Sequence, residues 1–416
     1  LQQWWTRFGD ARLDQLITQA IEHNPNVKAA VASIKASRHQ RNVTRFDLAP
    51  IVTQGSSYTN TRLAGANLPP VFPRDQELWD AGIDATWELD LFGRVRRNIE
   101  AASADLATTE AVRDDLLVSV TAETGLTYFE LRGLLGQLEV ARRNAGNQRS
   151  TLELTKKLMD GGRGTELDVS RAQSQLSNTL ASIPPLEAAI ARSYHRLAVL
   201  TGRTPDALRG SLGKNGLPGK LPSVKFGKPD DLLRRRPDIR AAERQLAAAT
   251  ARVGVATADL FPRVTFGGGI GFSAATLDGL GRSGSDNFAF GPNVNWAFLD
   301  SPRRHQLVKA AGARVEGRLE TYRQTVLLAL EDTENALTNY GQEQARRAHL
   351  GDAVTASANA AKLARQRFEG GTASFLEVLD AERVHLTNEA ALAESRKATA
   401  THLIRLFKAL GGGWNT

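Results

Sequence analysis

The chain has 416 residues, with 53 Lys and Arg against 45 Asp and Glu for a formal net charge of +8, and no cysteine. The missing cysteine excludes disulfides, thiolate metal sites and thiol catalysis, and the lack of any run of about 18 apolar residues excludes a membrane-spanning helix while leaving a β-barrel open. Lys and Arg are interleaved with Asp and Glu, and the tightest basic run, Arg234-Arg235-Arg236, reads as a solvated helix start, so nucleic acid is not expected as a partner.

In chain order, the pattern predicts a short helical region and then strands over about 50–62 and 79–89, joined by a loop rich in Gly, Pro and Asn. The first strand alternates poorly. The second alternates strictly, with Trp79, Ala81, Ile83, Ala85, Trp87 and Leu89 against Asp80, Gly82, Asp84, Thr86 and Glu88, the period of a strand with one apolar face. Over about 94–160 there is no proline, and Leu131, Leu138, Ala145, Leu152 and Met159 recur every seven residues, predicting a long helix packed side by side with its neighbours. Asp160-Gly161-Gly162-Arg163-Gly164 then forms a hairpin tip in which glycine ends the helix in a left-handed conformation. Thr165 is set to cap the next helix, over about 165–200, whose Leu176, Ile183, Ile190 and Leu197 keep the period. Pro184-Pro185 should kink or interrupt it.

Residues 206–236 read as a linker to a second run, with strands over about 263–275 and 287–298 and helices over about 303–369 and 374–410. Val264, Phe266, Ile270 and Phe272 alternate with Thr265, Gly267, Gly269 and Ser273, while Phe288, Phe290, Val294, Trp296 and Phe298 oppose Asn293 and Asn295. A second tip, Glu369-Gly370-Gly371-Thr372, follows the seam Leu350, Val354, Ala361, Ala364 and Phe368, with Thr372 or Ser374 to cap the last helix.

The second run is a copy of the first. Gly161, Gly162, Leu167, Val169, Ala172, Leu197 and Gly202 recur as Gly370, Gly371, Leu376, Val378, Ala381, Leu406 and Gly411, a constant step (370 − 161 = 209). Pro25, Asp47, Pro50 and Thr53 recur as Pro237, Asp259, Pro262 and Thr265 (237 − 25 = 212). Two repeats, 1–205 and 237–416, therefore build one intertwined body, because the period is far beyond the roughly 20–50 residues of a solenoid. Four strands cannot close a barrel, and open edges cannot exist in lipid. If the strands span a membrane the chain must oligomerise, with Ile83, Trp87, Val294 and Trp296 facing lipid. The rival reading, a soluble coiled-coil scaffold without channel activity, explains the heptads but not the Trp- and Phe-rich strands.

Catalysis is not expected. None of the seven histidines lies three or four residues from another, so no helical metal pair exists, and no metal site or cofactor is expected. No Gly-x-Ser-x-Gly elbow is present. Gly267-Gly268-Gly269-Ile270-Gly271 is followed by no helix, and neither glycine tip carries the Gly-Lys-Ser/Thr ending of a phosphate loop. A single Met argues against methionine-based copper or silver handling.

Four motifs give the chain its resemblance: Trp4-Trp5-Thr6-Arg7-Phe8-Gly9-Asp10 with Asn24-Pro25; Trp87-Glu88-Leu89-Asp90-Leu91-Phe92-Gly93-Arg94; Asp231 to Glu243 through Arg236-Pro237-Asp238; and Asp259-Leu260-Phe261-Pro262. Together they resemble the TolC family of outer-membrane efflux channels, in its NodT/OprM-like multidrug and metal efflux branch, over the whole chain. Asp300-Ser301-Pro302-Arg303 departs from the glycine that the family carries before its arginine.

The resemblance implies an α+β membrane protein. Three chains would form a homotrimer whose 12-stranded β-barrel lies in outer-membrane lipid and continues into a 12-helix α-barrel reaching through the periplasm. A mixed equatorial domain would be built from the N-terminal segment, residues 203–236 and the C-terminus. The function implied is the passive outer-membrane exit duct of a tripartite efflux system, exporting drugs or other small toxic compounds with a periplasmic adaptor and an inner-membrane pump of the RND type. Relatives carry a lipidated N-terminal cysteine; a lipoprotein anchor, like any signal peptide, is expected to be trimmed or absent here. The tips Gly161, Gly162, Gly164, Gly370 and Gly371 are expected to dock the adaptor. By the same resemblance Leu376, Glu377 and Asp380 form the channel gate, with Asp168 and Arg171 at the corresponding places of the first repeat and Arg367 or Arg171 tying helices shut.

Overall fold

Helix and strand follow the two periods of the sequence. A computed structural model describes residues 3–67, 69, 73–213, 216–217, 221–222 and 235–412. After a 3-10 turn at Trp4–Phe8 come α1 (Ala11–His23), α2 (Pro25–Phe46), β1 (Ile51–Arg62), β2 (Asp75–Leu89), α3 (Arg94–Asp160), α4 (Glu166–Ala181) and α5 (Ile183–Leu200). The second repeat gives α6 (Pro237–Ala258), β3 (Arg263–Ala274), β4 (Asp286–Asn295), α7 (Ser301–Glu369) and α8 (Phe375–Ala409). The chain forms two compact units. One gathers Leu1–Val31, Ala111–Arg240 and Thr325–Thr416; the other gathers Ala32–Glu110 and Ala241–Gln324. Each repeat thus contributes to both.

The second unit carries one antiparallel sheet in the order β1-β2-β3-β4. Its register sorts the side chains. Gln54, Ile83, Ile270 and Phe288 share one cross-strand row, and Val52, Ala85, Gly268 and Phe290 the next. Thr53, Asp84, Gly269 and Ala289 lie on the opposite face. The apolar face is uncovered in the single chain: Ile83, Ile270 and Phe288 are 48%, 55% and 76% exposed. The weakly alternating β1 is a strand because it pairs with β2 along its whole length, which its own pattern does not reveal.

Strand ends differ from the sequence reading. β2 begins at Asp75 rather than near Trp79, extended by pairing with β1 up to Arg62. β4 ends at Asn295, so Trp296 lies beyond the strand and Phe298 opens a 3-10 turn. The ladder stops there because Asn295 already faces Arg263, the first residue of β3; the Trp296 indole instead donates to the Leu260 carbonyl at 3.1 Å. Trp87, its counterpart in the first repeat, donates to the Leu48 carbonyl at 2.9 Å, so the duplication extends to this contact. The junctions after the sheet diverge. Gly93 takes a φ of 82° immediately before α3, whereas Ser301 is already right-handed helical. α7 therefore starts two residues earlier than expected, with Pro302 in its first turn, where a missing N–H costs nothing.

Between α4 and α5 the chain breaks at Ser182. Pro184 and Pro185 have no N–H to continue α4, yet are tolerated at the start of a new helix. α8, without proline, is continuous from Phe375 to Ala409.

The first unit is centred on Trp4, Trp5, Leu13, Ile17, Tyr128, Phe129, Leu197, Leu403, Ile404 and Phe407, all buried. Trp4 stacks on Phe407 with ring centroids 5.2 Å apart. The described parts of the segments assigned to the equatorial belt are helices and 3-10 turns, with no strand among them; Asp231 to Arg234 lie outside the described residues. Along α3, Leu131, Leu138, Ala145 and Leu152 are buried, the seam of a heptad pattern. α7 is covered less: Leu307, Leu327, Leu328 and Leu363 are exposed.

Asp10 ties the N-terminal segment to α3. Its carboxylate accepts from the backbone N–H of Arg12 and Leu13, capping α1, and from the Tyr128 hydroxyl at 2.6 Å. Burial, reinforced by Asp10, pushes the Tyr128 phenol above its ordinary range. Losing the cap costs about 1 kcal/mol, and losing a charged acceptor from a buried hydroxyl about 1.5–3 kcal/mol. Asp10→Ala is therefore expected to destabilise the fold by about 2–4 kcal/mol, and Asp10→Asn, which keeps the cap, by less. Urea unfolding followed by tryptophan fluorescence measures both.

Candidate functional site

Two hairpin tips and two helix closures carry the features that the repeats share most closely. At the first tip Arg163 N–H donates to the Leu158 carbonyl at 2.8 Å and Gly162 N–H to that of Met159 at 2.9 Å. At the second, Thr372 N–H donates to Arg367 at 2.8 Å and Gly371 N–H to Phe368 at 2.9 Å. This is one paired helix stop used twice, and it requires the left-handed φ of 73° at Gly162 and 74° at Gly371. Gly161, Gly162, Gly370 and Gly371 are exposed. Gly164 is held tighter: a Cβ there would meet Met159 N at 3.0 Å.

Each tip is followed by a capping box. Thr165 and Asp168 exchange bonds at 3.2 Å in both directions. Ser374 N–H donates to Glu377 Oε1 at 3.2 Å, and Glu377 N–H to Ser374 Oγ at 3.4 Å. Asp168 and Glu377 thus hold the same position, and both complete helix starts. Beneath them Phe375 and Val378 pack with Ala145, Leu152, Ala172 and Leu176. This fixes the rotation of α8, so Leu376, Glu377 and Asp380 are exposed, as is Leu167, the counterpart of Leu376.

The remaining gate candidates divide. Arg367 lies 3.6 Å from Glu377 Oε2 and donates to the Thr372 carbonyl at 3.3 Å, so it bridges its own tip. Asp380 pairs with Arg383 at 2.7 Å, both exposed. Arg171 is exposed on α4. Within one chain these residues are not gathered into a single pocket.

Sequence reasoning missed the closures. Arg236 is not solvated: its side chain is 11% exposed and forms a two-point pair with Asp238, with Nη2 2.7 Å from the carboxylate and Asp332 at 3.2 Å. Its Nη1 donates to the Ala409 carbonyl, at the end of α8, at 2.9 Å. In the first repeat the buried Asn24 donates to the Leu200 carbonyl, at the end of α5, also at 2.9 Å. The signal was in the sequence: both residues immediately precede the proline that opens the next helix, Pro25 or Pro237. Around Arg236 lies a hollow of about 290 Å³ lined by Asp115, Asp238, Asp332, His402 and Lys408. Burial, then Asp238, pushes the Asp115 carboxyl above its usual range. Burial, then Arg405, holds the His402 imidazole below its own.

The sequence model described as outer membrane efflux protein matches residues 16–203 and 229–412, one segment in each repeat. Nodulation protein T of Rhizobium leguminosarum bv. trifolii is 30% identical over 413 residues, covering 99% of this chain and 88% of that protein. The solvent efflux pump outer membrane protein SrpC of Pseudomonas putida is 29% identical over 414 residues, covering 98% and 87%. The solved outer-membrane channel OprN superposes with a TM-score of 0.94 at 40% identity, covering 99% of this chain and 92% of that one.

Arg236→Ala takes their donor from the part-buried Asp238 carboxylate and a helix-end carbonyl, while the exposed Asp332 turns to water, an expected loss of about 2–4 kcal/mol. Asn24→Ala removes a neutral donor to Leu200 and the acceptor of the Asn26 N–H and is expected to cost about 1–3 kcal/mol. Arg236→Lys falls between, because an ammonium cannot form the two-point pair. Chemical denaturation of the three variants checks the order.

Proposed function

The chain belongs to the outer membrane efflux protein family, and on that premise we propose how its geometry exports small molecules. It is an outer-membrane efflux protein with a periplasmic extension. Three copies close one channel, twelve strands in the membrane and twelve helical strands of chain below it. The observation that carries this reading is the open sheet: β1 and β4 each pair on one side only, and one face is apolar and uncovered. Lipid cannot satisfy a free strand edge, so β4 of one copy pairs with β1 of the next, and Ile83, Trp87 and Val294 meet hydrocarbon. Trp296, just past the strand, marks the interface, where an indole has both an apolar body and a polar partner. The uncovered apolar positions of α7 support a neighbouring copy against that helix.

The duct has no energy source and performs no catalysis. A periplasmic adaptor engages the tips at Gly161, Gly162, Gly164, Gly370 and Gly371, where the lack of side chains lets another backbone approach, and an inner-membrane pump of the RND type drives cargo. Cargo is small toxic organic compounds. Leu376, Glu377 and Asp380, exposed on α8, face the axis in the trimer and narrow it, with two rings of three carboxylates attracting cations. Asp168 and Arg171 take the matching places on α4, and Arg367 holds its tip through Glu377.

The double substitution Glu377→Ala, Asp380→Ala is expected to raise single-channel conductance and weaken cation selectivity in planar bilayers. Unchanged values would remove both residues from the gate. Separately, Ile83→Arg is expected to destabilise the assembled barrel by about 2–4 kcal/mol, seen as loss of the heat-resistant trimer on gels.

A further inference from the structure

On the sheet face opposite Ile83, the register brings bare backbone together. Gly55 pairs with Gly82, and Gly82 with Gly271; Gly267 pairs with Gly291. Two of these glycines are required by packing: a Cβ would lie 2.9 Å from the Ile270 carbonyl oxygen at Gly82 and 2.7 Å from that of Ala81 at Gly271. Gly55 and Gly291 are not, since a Cβ at either would meet nothing within 4 Å. Glycine inside a strand is destabilising relative to alanine, so strand packing does not account for these two. What they do is keep the face clear. A hollow of about 610 Å³ lies over Gly55, Gly82, Gly269 and Gly271, with Asp80 and Asp84 in its wall.

Charge on this face is one-sided. Asp80, Gly82 and Asp84 follow one another along the same side of β2. Asp84 has no hydrogen bond or ion pair among the described residues, and Asp80 accepts only from the Ser273 hydroxyl. The other charges on the face are compensated: Arg263 by Asp259 at 2.7 Å and Glu88 by Arg94 at 2.6 Å.

We infer that the Gly55–Gly82–Gly271 row, flanked by Asp80 and Asp84, is a charge-selective throat of the duct that favours small organic cations, such as protonated amines, over anions. The inference rests on the trimeric reading above, in which this face lines the lumen. Three copies then give two rings of three carboxylates on either side of a row in which β1, β2 and β3 show bare backbone and β4 shows the neutral Asn287. Carboxylates facing a confined aqueous path concentrate cations there, and glycine leaves nothing for a passing apolar group to lodge against.

The test is made in the Glu377→Ala, Asp380→Ala background, which removes the gate's own carboxylates. Reversal potentials are read in planar bilayers under a KCl gradient at low ionic strength. Adding Asp80→Asn and Asp84→Asn is expected to lower the potassium-to-chloride permeability ratio by about tenfold. Gly55→Lys, which enters open space and disturbs no packing, is expected to turn the channel toward chloride. Channels whose ratio is unchanged by either alteration overturn the throat and leave the trimeric duct standing. A chain that forms no channels before these substitutions overturns the duct itself, and the throat with it.

Discussion

Each repeat is closed by one side chain that reaches the last carbonyls of its final helix, and the rest of the unit hangs on that closure. Asn24 does this for α5 and Arg236 for α8. The contact demands close approach, and a glycine supplies it both times. Gly202, with a φ of 72°, would put a Cβ 2.5 Å from the His23 carbonyl oxygen, and Gly411, with a φ of 80°, sits against the backbone of Arg235 and Arg236. A helix end buried without a partner leaves carbonyls unsatisfied. Here the donor lies directly before a proline, which starts the next helix without needing an N–H partner of its own. The aromatic core of Trp4, Phe129 and Phe407 lies in the same unit.

The closures also show how two copies of one unit drift apart. Asn24 is neutral: its amide donates to the Leu200 carbonyl and its Oδ1 accepts from the Asn26 N–H. Arg236 brings a charge, and with it Asp238 and Asp332 as compensation. The same divergence appears at the tips, where Asp168 and Glu377 do identical capping work but only Glu377 has an arginine, Arg367, beside its free oxygen. A carboxylate at this position is restrained on one side by its helix start. That makes it a well-positioned group rather than a mobile one, a condition any electrostatic role at the tips would require.

Much of this was legible in the sequence because it rests on local rules. Period seven along Leu131, Leu138, Ala145 and Leu152 marks a buried seam, and glycine before a Ser or Thr cap marks a hairpin tip. What local rules missed depended on distant partners. Arg236 looked solvated because its partners, Asp332 and the Ala409 carbonyl, lie far along the chain. Trp296 looked like a strand residue because alternation continues through it, while β3, the strand it would pair with, begins only at Arg263, opposite Asn295. β1 carries little pattern of its own and is defined by β2. The proposed gate residues came from resemblance, not from periodicity, since Leu376, Glu377 and Asp380 in isolation read as an ordinary helix start.

The order of strands has a consequence in time. β1 with β2, and β3 with β4, are hairpins whose strands follow one another in the chain. The ladder that joins them pairs Ile83 with Ile270, and everything from α3 to α6 lies between. During synthesis the first hairpin emerges long before its partner exists. The entropy of closing so long a loop grows only logarithmically, so the penalty falls on speed more than on final stability. Through that interval β2 has one unpaired edge beside its exposed apolar row of Trp79, Ile83 and Trp87. Sheet completion therefore waits until the chain has been made as far as Asn295, and the nascent protein must be kept from aggregating until then.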